Sequence, residues 1–241
     1  MKKEEAIRII TECAKRYHEN LERQNILFMF GSPQLPEYFE VAFLPRNFLH
    51  LTGVELTGNR FKSSVDFYDR CLKERLNPSD FSMPPFGMSD VKLTVLPQLM
   101  SIHKTAKMVG DYNGSKPVLV TDKLAGNVTA CMGFVLDSRY YMPNTALKSD
   151  IRDLVGQFKR IIAIFRKPIR SPTYAELCYT AKGLDLSKVS LPEFVHMPLT
   201  ADNAISEKRP SVLARLREPL PERECKVDLT HKLRQKGDRN R

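Results

Sequence analysis

The spacing of apolar and polar residues divides the chain into a helical first half and a strand-rich second half. Over residues 2–24 the apolar positions Ala6, Ile9, Ile10, Cys13, Ala14, Tyr17 and Leu21 recur at intervals of three and four, which is one face of a helix. ILFMF (26–30) and YFEVAFL (38–44) flank GSPQLPE, whose two prolines require a loop, and both read as strands. RNFLHLTGV (46–54) follows as another apolar run behind Pro45. It predicts a hairpin with His50 on the second arm and Thr52 on the same face, because strand side chains alternate with period two. RFKSSVDFYDRCLKERL (60–76) is an amphipathic helix, and DVKLTVLPQLMSIHKTAKM (90–108) predicts another, with Pro97 near its start or at a kink.

Beyond the Asn113-Gly114 turn the pattern changes. KPVLVTDK, GNVTACMGFVLDS, YYMPN, FKRIIAIFRK and AELCYTAKG are short β-rich runs, interrupted by one expected helix, TALKSDIRDLV (145–155), capped by Asn144 or Thr145. Helices first and strands after them predict an α+β fold: N-terminal helices, a mainly antiparallel sheet and an extended C-terminal tail. The periodicity decays after about residue 185. The expected domains are therefore 1–187, and a basic, Pro-rich, partly disordered arm over 188–241, with RPSVLARLREPL as a short helix within it.

Composition narrows the function. No apolar run reaches the length of a membrane span, and MKKEEAIRII reads as a helix start, so neither a membrane nor a signal peptide is expected. Five widely spaced cysteines without a C-x-x-C pair suggest reduced thiols in the cytoplasm, with neither a disulfide framework nor a zinc site. The phosphate-loop, dinucleotide and H-E-x-x-H motifs are absent, and no metal or cofactor is expected. The net charge of +10 favours a polyanionic partner, since each cation placed on a phosphate releases a counterion. Half of that excess, eleven Lys/Arg against six Asp/Glu, lies beyond residue 206.

Five stretches carry candidate chemistry. His50 and Thr52 would set an imidazole beside a hydroxyl, next to the close-approach residue Gly53. HKTAKMVGDYNGSKP places Lys104, Lys107 and Lys116 around a turn with Asp111 and Tyr112. TDKLAGN crowds Thr121, Asp122, Lys123 and Asn127 around a glycine bend, where Lys123 could neutralise a phosphate oxygen. YYMPNTALKSDIRDL offers Tyr140 or Tyr141 for stacking on a base, and a helix start at Asn144 and Thr145 for an anion. FKRIIAIFRK is a core strand fringed by Lys159, Arg160, Arg166 and Lys167, which either line a nucleic-acid groove or face water. Each stretch also has a plain structural reading as a satisfied histidine, a solvated loop or a cap. Together, one histidine, several lysines, hydroxyls and amides suit metal-independent RNA cleavage, in which the 2′-hydroxyl attacks the adjacent phosphate.

NFLHLTGV, VLPQLMSIHKTAKMVGDYN, TDKLAGNVTACMGFV, YYMPNTALKSDIRDL and RIIAIFRK, in continuous order over roughly residues 25–187, resemble the fourth phage-type family of the Barnase–EndoU–colicin–RelE nucleases. The resemblance implies leading helices, a four-stranded antiparallel sheet bearing the active site, and a metal-independent ribonuclease used as a phage or mobile-element toxin. It also implies an RNA substrate and an antitoxin or immunity protein as partner. Catalytic residues vary within that superfamily. On the matching positions the expectations are His50 as acid or base, Lys107 and Lys123 on the phosphate, and Thr52 and Asn144 as orienting donors. Lys104, Asp111, Tyr141, Thr145 and Arg166 are expected to bind substrate. His103 is the other histidine in the matching segments, and the acid–base partner of His50 stays open. Two alternatives remain. One is an ADP-ribosyltransferase-like enzyme, with Glu176 as its acidic residue. The other is a nucleic-acid-binding module that does not cut.

Overall fold

The first helix forms where its periodicity places it. α1 (Lys3–Asn20) buries Ala6, Ile10, Cys13, Ala14 and Tyr17 along one stripe. A computed structural model gives the fold and describes residues 1–84, 88–114 and 119–196. β1 (Gln24–Gly31) and β2 (Pro36–Phe43) are the two expected strands, and they pair with each other as an antiparallel hairpin across the proline-containing loop, in place of the hairpin expected between 38–44 and 46–54.

The run after it is not a strand. Pro45–Asn47 form a 3-10 turn, and Phe48–Thr52 form the short helix α2, which ends at Gly53 with φ of 71°. Proline at a helical entry and a left-handed glycine at the exit are helix punctuation. Phe48, Leu51 and Thr52 are buried at the helical spacing i, i+3, i+4. The expected strand geometry for His50 and Thr52 is therefore corrected. Two residues apart on a helix point to different sides, so the exposed His50 and the buried Thr52 do not share a face.

β3 (Glu55–Leu56) pairs with β4 (Phe81–Ser82) in a small ribbon beside α3 (Ser64–Leu72). The expected long helix over 90–108 is two helices, α4 (Met88–Leu99) and α5 (Ile102–Thr105), and its last residue, Met108, already begins β5 (Met108–Tyr112). β6 (Lys123–Gly126), β7 (Cys131–Asp137), β8 (Tyr140–Leu147), β9 (Val155–Pro168) and β10 (Glu176–Thr180) complete the set. Of the expected strand over 116–123, residues 119–122 are not in a strand and Lys123 opens β6, while 116–118, Lys116 included, lie outside the described residues. The helix expected over 145–155 is also corrected. Asn144 and Thr145 lie within β8, and only Ile151–Asp153 turn, as a 3-10 segment capped by Asp150. Pairing along β7 supplies backbone partners that the local helix preference cannot match.

The sheet is larger than the implied four strands. Among the described residues, eight strands run in the order β1-β2-β8-β7-β6-β5-β9-β10, and β9 also pairs with β1. Seven of them thus close a ring. All its pairings are antiparallel except β2 with β8, which meet through the single pair Val41–Tyr141. α1–α5 and the inward face of the ring share one core, centred on Phe28, Phe39 and Phe134. Tyr17 ties the layers together. Its ring meets Phe43, Phe48 and Tyr68 edge-on, and its hydroxyl donates to the Leu44 carbonyl at 2.9 Å. A second cluster on the outer face of β1 and β9 buries Leu27, Phe165 and Tyr174, and it includes Val189 and Val195. Packing therefore continues past residue 187, while residues 197–241, which hold most of the expected arm and its short helix, lie outside the described residues.

Candidate functional site at the mouth of the ring

Strand alternation puts every second residue inside the ring. Inside, the apolar series Phe43, Val41, Phe39 on β2 continues in phase to Glu37. The same happens on β5 from Val109 to Asp111, on β6 from Ala125 to Lys123 and on β9 from Ile161 to Lys159. Each charged residue sits at the same end of the ring, so four strands deliver two carboxylates and two ammonium groups to one mouth. Phe30, Phe39, Gly110 and Gln157 complete its lining, around a narrow recess of about 40 Å³ open to solvent.

The charges are paired across strands. The Lys123 ammonium binds the Asp111 carboxylate of its direct cross-strand partner. The Lys159 ammonium reaches over β1 to both carboxylate oxygens of Glu37, at 2.6 and 2.7 Å. Aromatic faces lie beneath both cations: Lys123 Nζ is 5.9 Å from the Phe39 ring and 5.8 Å from the Tyr141 ring, and Lys159 Nζ is 5.8 Å from Phe30. An anion entering the mouth competes with the carboxylates for two ammonium groups already held in place. Glu37 and Lys123 stand on opposite walls, because β2 and β6 are three strands apart around the ring.

The expected site residues thus separate into three groups and a buried pair. Asp111, Lys123 and Tyr141 meet at the mouth. His50 and Asn144 line a shallow outer depression with Arg46, Asp137 and Met142. Met142 follows Tyr141 on β8, so this depression lies on the other face of the β7–β8 hairpin from the mouth. Asn144 is the extra residue of a bulge between Pro143 and Thr145, and its amide donates to the Val120 carbonyl at 2.6 Å. The mouth and this depression are separate, and His50 and Lys123 do not come together.

Thr52 and Thr145 are turned inward. The buried Thr52 hydroxyl donates to Leu49 O at 2.7 Å. Thr145 packs where a side chain on Gly133 would collide with it, and its buried hydroxyl has no partner among the described residues. Neither is available to a substrate in this conformation.

Lys104, Lys107 and Arg166 gather around β9, β10 and α5. Lys107 Nζ sits 3.7 Å from the centre of the Tyr179 ring, and burial lowers its pKa from the usual lysine value. Arg166 binds Glu176 through two nitrogens, at 2.9 and 2.5 Å, and donates to Asn20 O. Glu176, the acid required by a transferase reading, is thus engaged by Arg166, and the depression that holds His50 does not include it.

His103 is fully buried beside this group, and neither ring nitrogen has a partner among the described residues. Burial, then the nearby Arg166 and Lys104, push its pKa down to about 4, against a smaller opposite pull from Glu176. Protons then bind the unfolded chain more readily than the folded one between pH 6.5 and 4. Stability from this group is complete above about pH 6.5 and declines by about 3 kcal/mol as the pH falls to 4. Urea titrations at pH 7.5 and 4.5 should show this loss in the native protein and a smaller one in His103→Met.

Glu37, Lys159 and Gln157 are functional candidates that the motif reading passed over, although Lys159 stood in the basic fringe. The signal that finds them is a charge in phase with the inward apolar residues at a strand end. No helix among the described residues is long and apolar enough to cross a membrane. No curated protein and no solved structure matches the chain. A model of the phage-Barnase-EndoU-ColicinE5/D-RelE like nuclease4 family matches residues 9–183, which span α1 from Ile9 through β10 and therefore every strand of the ring. The chain belongs to this nuclease family, and its substrate is a nucleic acid.

Proposed function

We propose that the protein is a metal-independent endoribonuclease whose active site is the mouth of the ring. The observation that carries this reading is the convergence of Glu37, Lys159, Asp111 and Lys123 from four strands onto one concave opening. A phosphodiester seated between the lysines draws both ammonium groups from their carboxylates. Glu37, freed from Lys159, accepts the proton of the ribose 2′-hydroxyl. The 2′-oxygen bonds to phosphorus, and the bond to the 5′-oxygen breaks. Lys123, on the opposite wall, protonates the leaving oxygen, while Lys159 stabilises the charge on the non-bridging oxygens. The products are a 2′,3′-cyclic phosphate and a free 5′-hydroxyl. The lysines supply positive charge at phosphorus from the chain itself, which supports a reaction without metal. A role as a phage or mobile-element toxin held by an antitoxin is part of the same reading, and the family's phage association supports it.

The depression around His50 supports a second reading, because it offers an exposed imidazole next to the Asn144 side chain. One experiment separates the two. Purified protein is incubated with RNA in excess chelator, and the ends are analysed. Cyclic phosphate ends, with His50→Ala retaining activity within about threefold, support the mouth. Loss of cleavage in His50→Ala moves the chemistry to the outer depression. Absence of cleavage of any RNA, transfer and ribosomal RNA included, defeats both.

A further inference from the structure

β9 lines the mouth with only half of its residues. Gln157 and Lys159 point in, so Phe158 and Arg160 point out, within a few residues of the rim where the strand begins at Val155. Phe158 is 49% exposed on a strand whose next apolar residues are buried. Its cross-strand partner is Gly110, which has no side chain to cover it. Arg160 stands two residues on and, with Lys182, borders a depression floored by Pro33, Ile162 and Leu184. Its guanidinium donates to the Lys182 carbonyl, and among the described residues neither cation has an acidic partner. An exposed ring followed by unpaired cations is the equipment of a stacking platform for single strands.

We propose that this outer face of β9 is a second binding surface, which holds the single-stranded RNA flanking the cut as it leaves the mouth over the rim. One base stacks on Phe158, and the following phosphates meet Arg160 and Lys182. The row from Phe158 to Ile162 spans about 13 Å, enough for a few nucleotides. Charge complementarity selects the occupant: two unpaired cations beside one exposed ring fit a polyanion that carries flat bases. This proposal rests on the mouth as the active site.

The test uses the full chain and 2′-O-methyl RNA, which lacks the attacking hydroxyl and so reports binding alone. Fluorescence anisotropy is recorded with a labelled trimer, short enough to stay in the mouth, and a 12-mer. Phe158→Ala and Arg160→Ala should each weaken the 12-mer roughly tenfold, leave the trimer unchanged and reduce the salt dependence only for Arg160→Ala. Phe158→Tyr, which keeps a ring, should bind like the native protein. If Phe158→Ala does not fold, Arg160→Ala and Lys182→Ala carry the comparison. Equal affinities of native and variant chains for the 12-mer, or equal losses for both lengths, overturn the proposal. If no RNA is cleaved but the length-dependent loss persists, the outer surface stands and the catalytic reading falls. Cleavage of long RNA with native KM in Phe158→Ala and Arg160→Ala leaves the catalytic reading and removes the outer surface.

Discussion

Replacing Lys123 by alanine should lower the rate of RNA cleavage by about two to three orders of magnitude, with little change in KM. Lys123 is the proposed acid for the leaving oxygen, and its side chain is the less exposed of the two lysines in the mouth, at 24% against 38% for Lys159, so its charge is the less screened by water. Glu37→Gln keeps the shape of the side chain and removes the base, and should cost about 10²- to 10⁴-fold in kcat. The two changes act on one step, so the double variant should lose little more than the worse single variant. The measurement is kcat and KM on a defined oligoribonucleotide with one labelled end, together with circular dichroism to show that the fold persists. Native rates in both variants would remove the mouth from the chemistry.

Phe28→Ala should have the largest effect on stability, about 3 to 5 kcal/mol. Phe28 is fully buried on β1, which is paired on both sides, and its ring stacks on Phe39 at 5.1 Å and meets Phe134 at 6.1 Å. Strands on three sides of this ring are held by their own ladders, so the cavity has little room to collapse. A domain with a typical total of about 5 to 15 kcal/mol would lose a large part of its margin. Urea denaturation should show a lower midpoint with an unchanged slope, whereas a changed slope would indicate a different denatured state.

Local periodicity carried α1, α3 and the strands β1, β2, β7, β9 and β10, because each buries one face at a spacing the residues declare. The run 46–54 misled because four apolar residues so closely spaced suit a strand as well as a helical turn and a half. What decides it is the punctuation, Pro45 before and Gly53 after, with Phe48, Leu51 and Thr52 as the buried stripe. At 144–147 the sequence favours a cap and a helix start, yet long-range pairing with β7 extends the strand through Leu147. The site was legible only in part. Asp111, Lys123 and Tyr141 stood out as local polar clusters. Glu37 and Lys159 belong to the mouth through a ring closed between strands over a hundred residues apart, and no local window shows that.

That closure also sets when the protein is complete. β1 is made first and lies between β2 and β9, so one of its edges waits for residues 161–168. At about 5 to 20 residues per second, translation needs several seconds more to deliver them. Until then Lys159 is missing or unplaced, Glu37 has no cation, and the opening has no far wall. A nascent chain interrupted before β9 therefore carries neither the closed ring nor the paired charges of its mouth, and under the proposed function the ribosome that makes the protein is not exposed to its activity until nearly the whole domain has emerged.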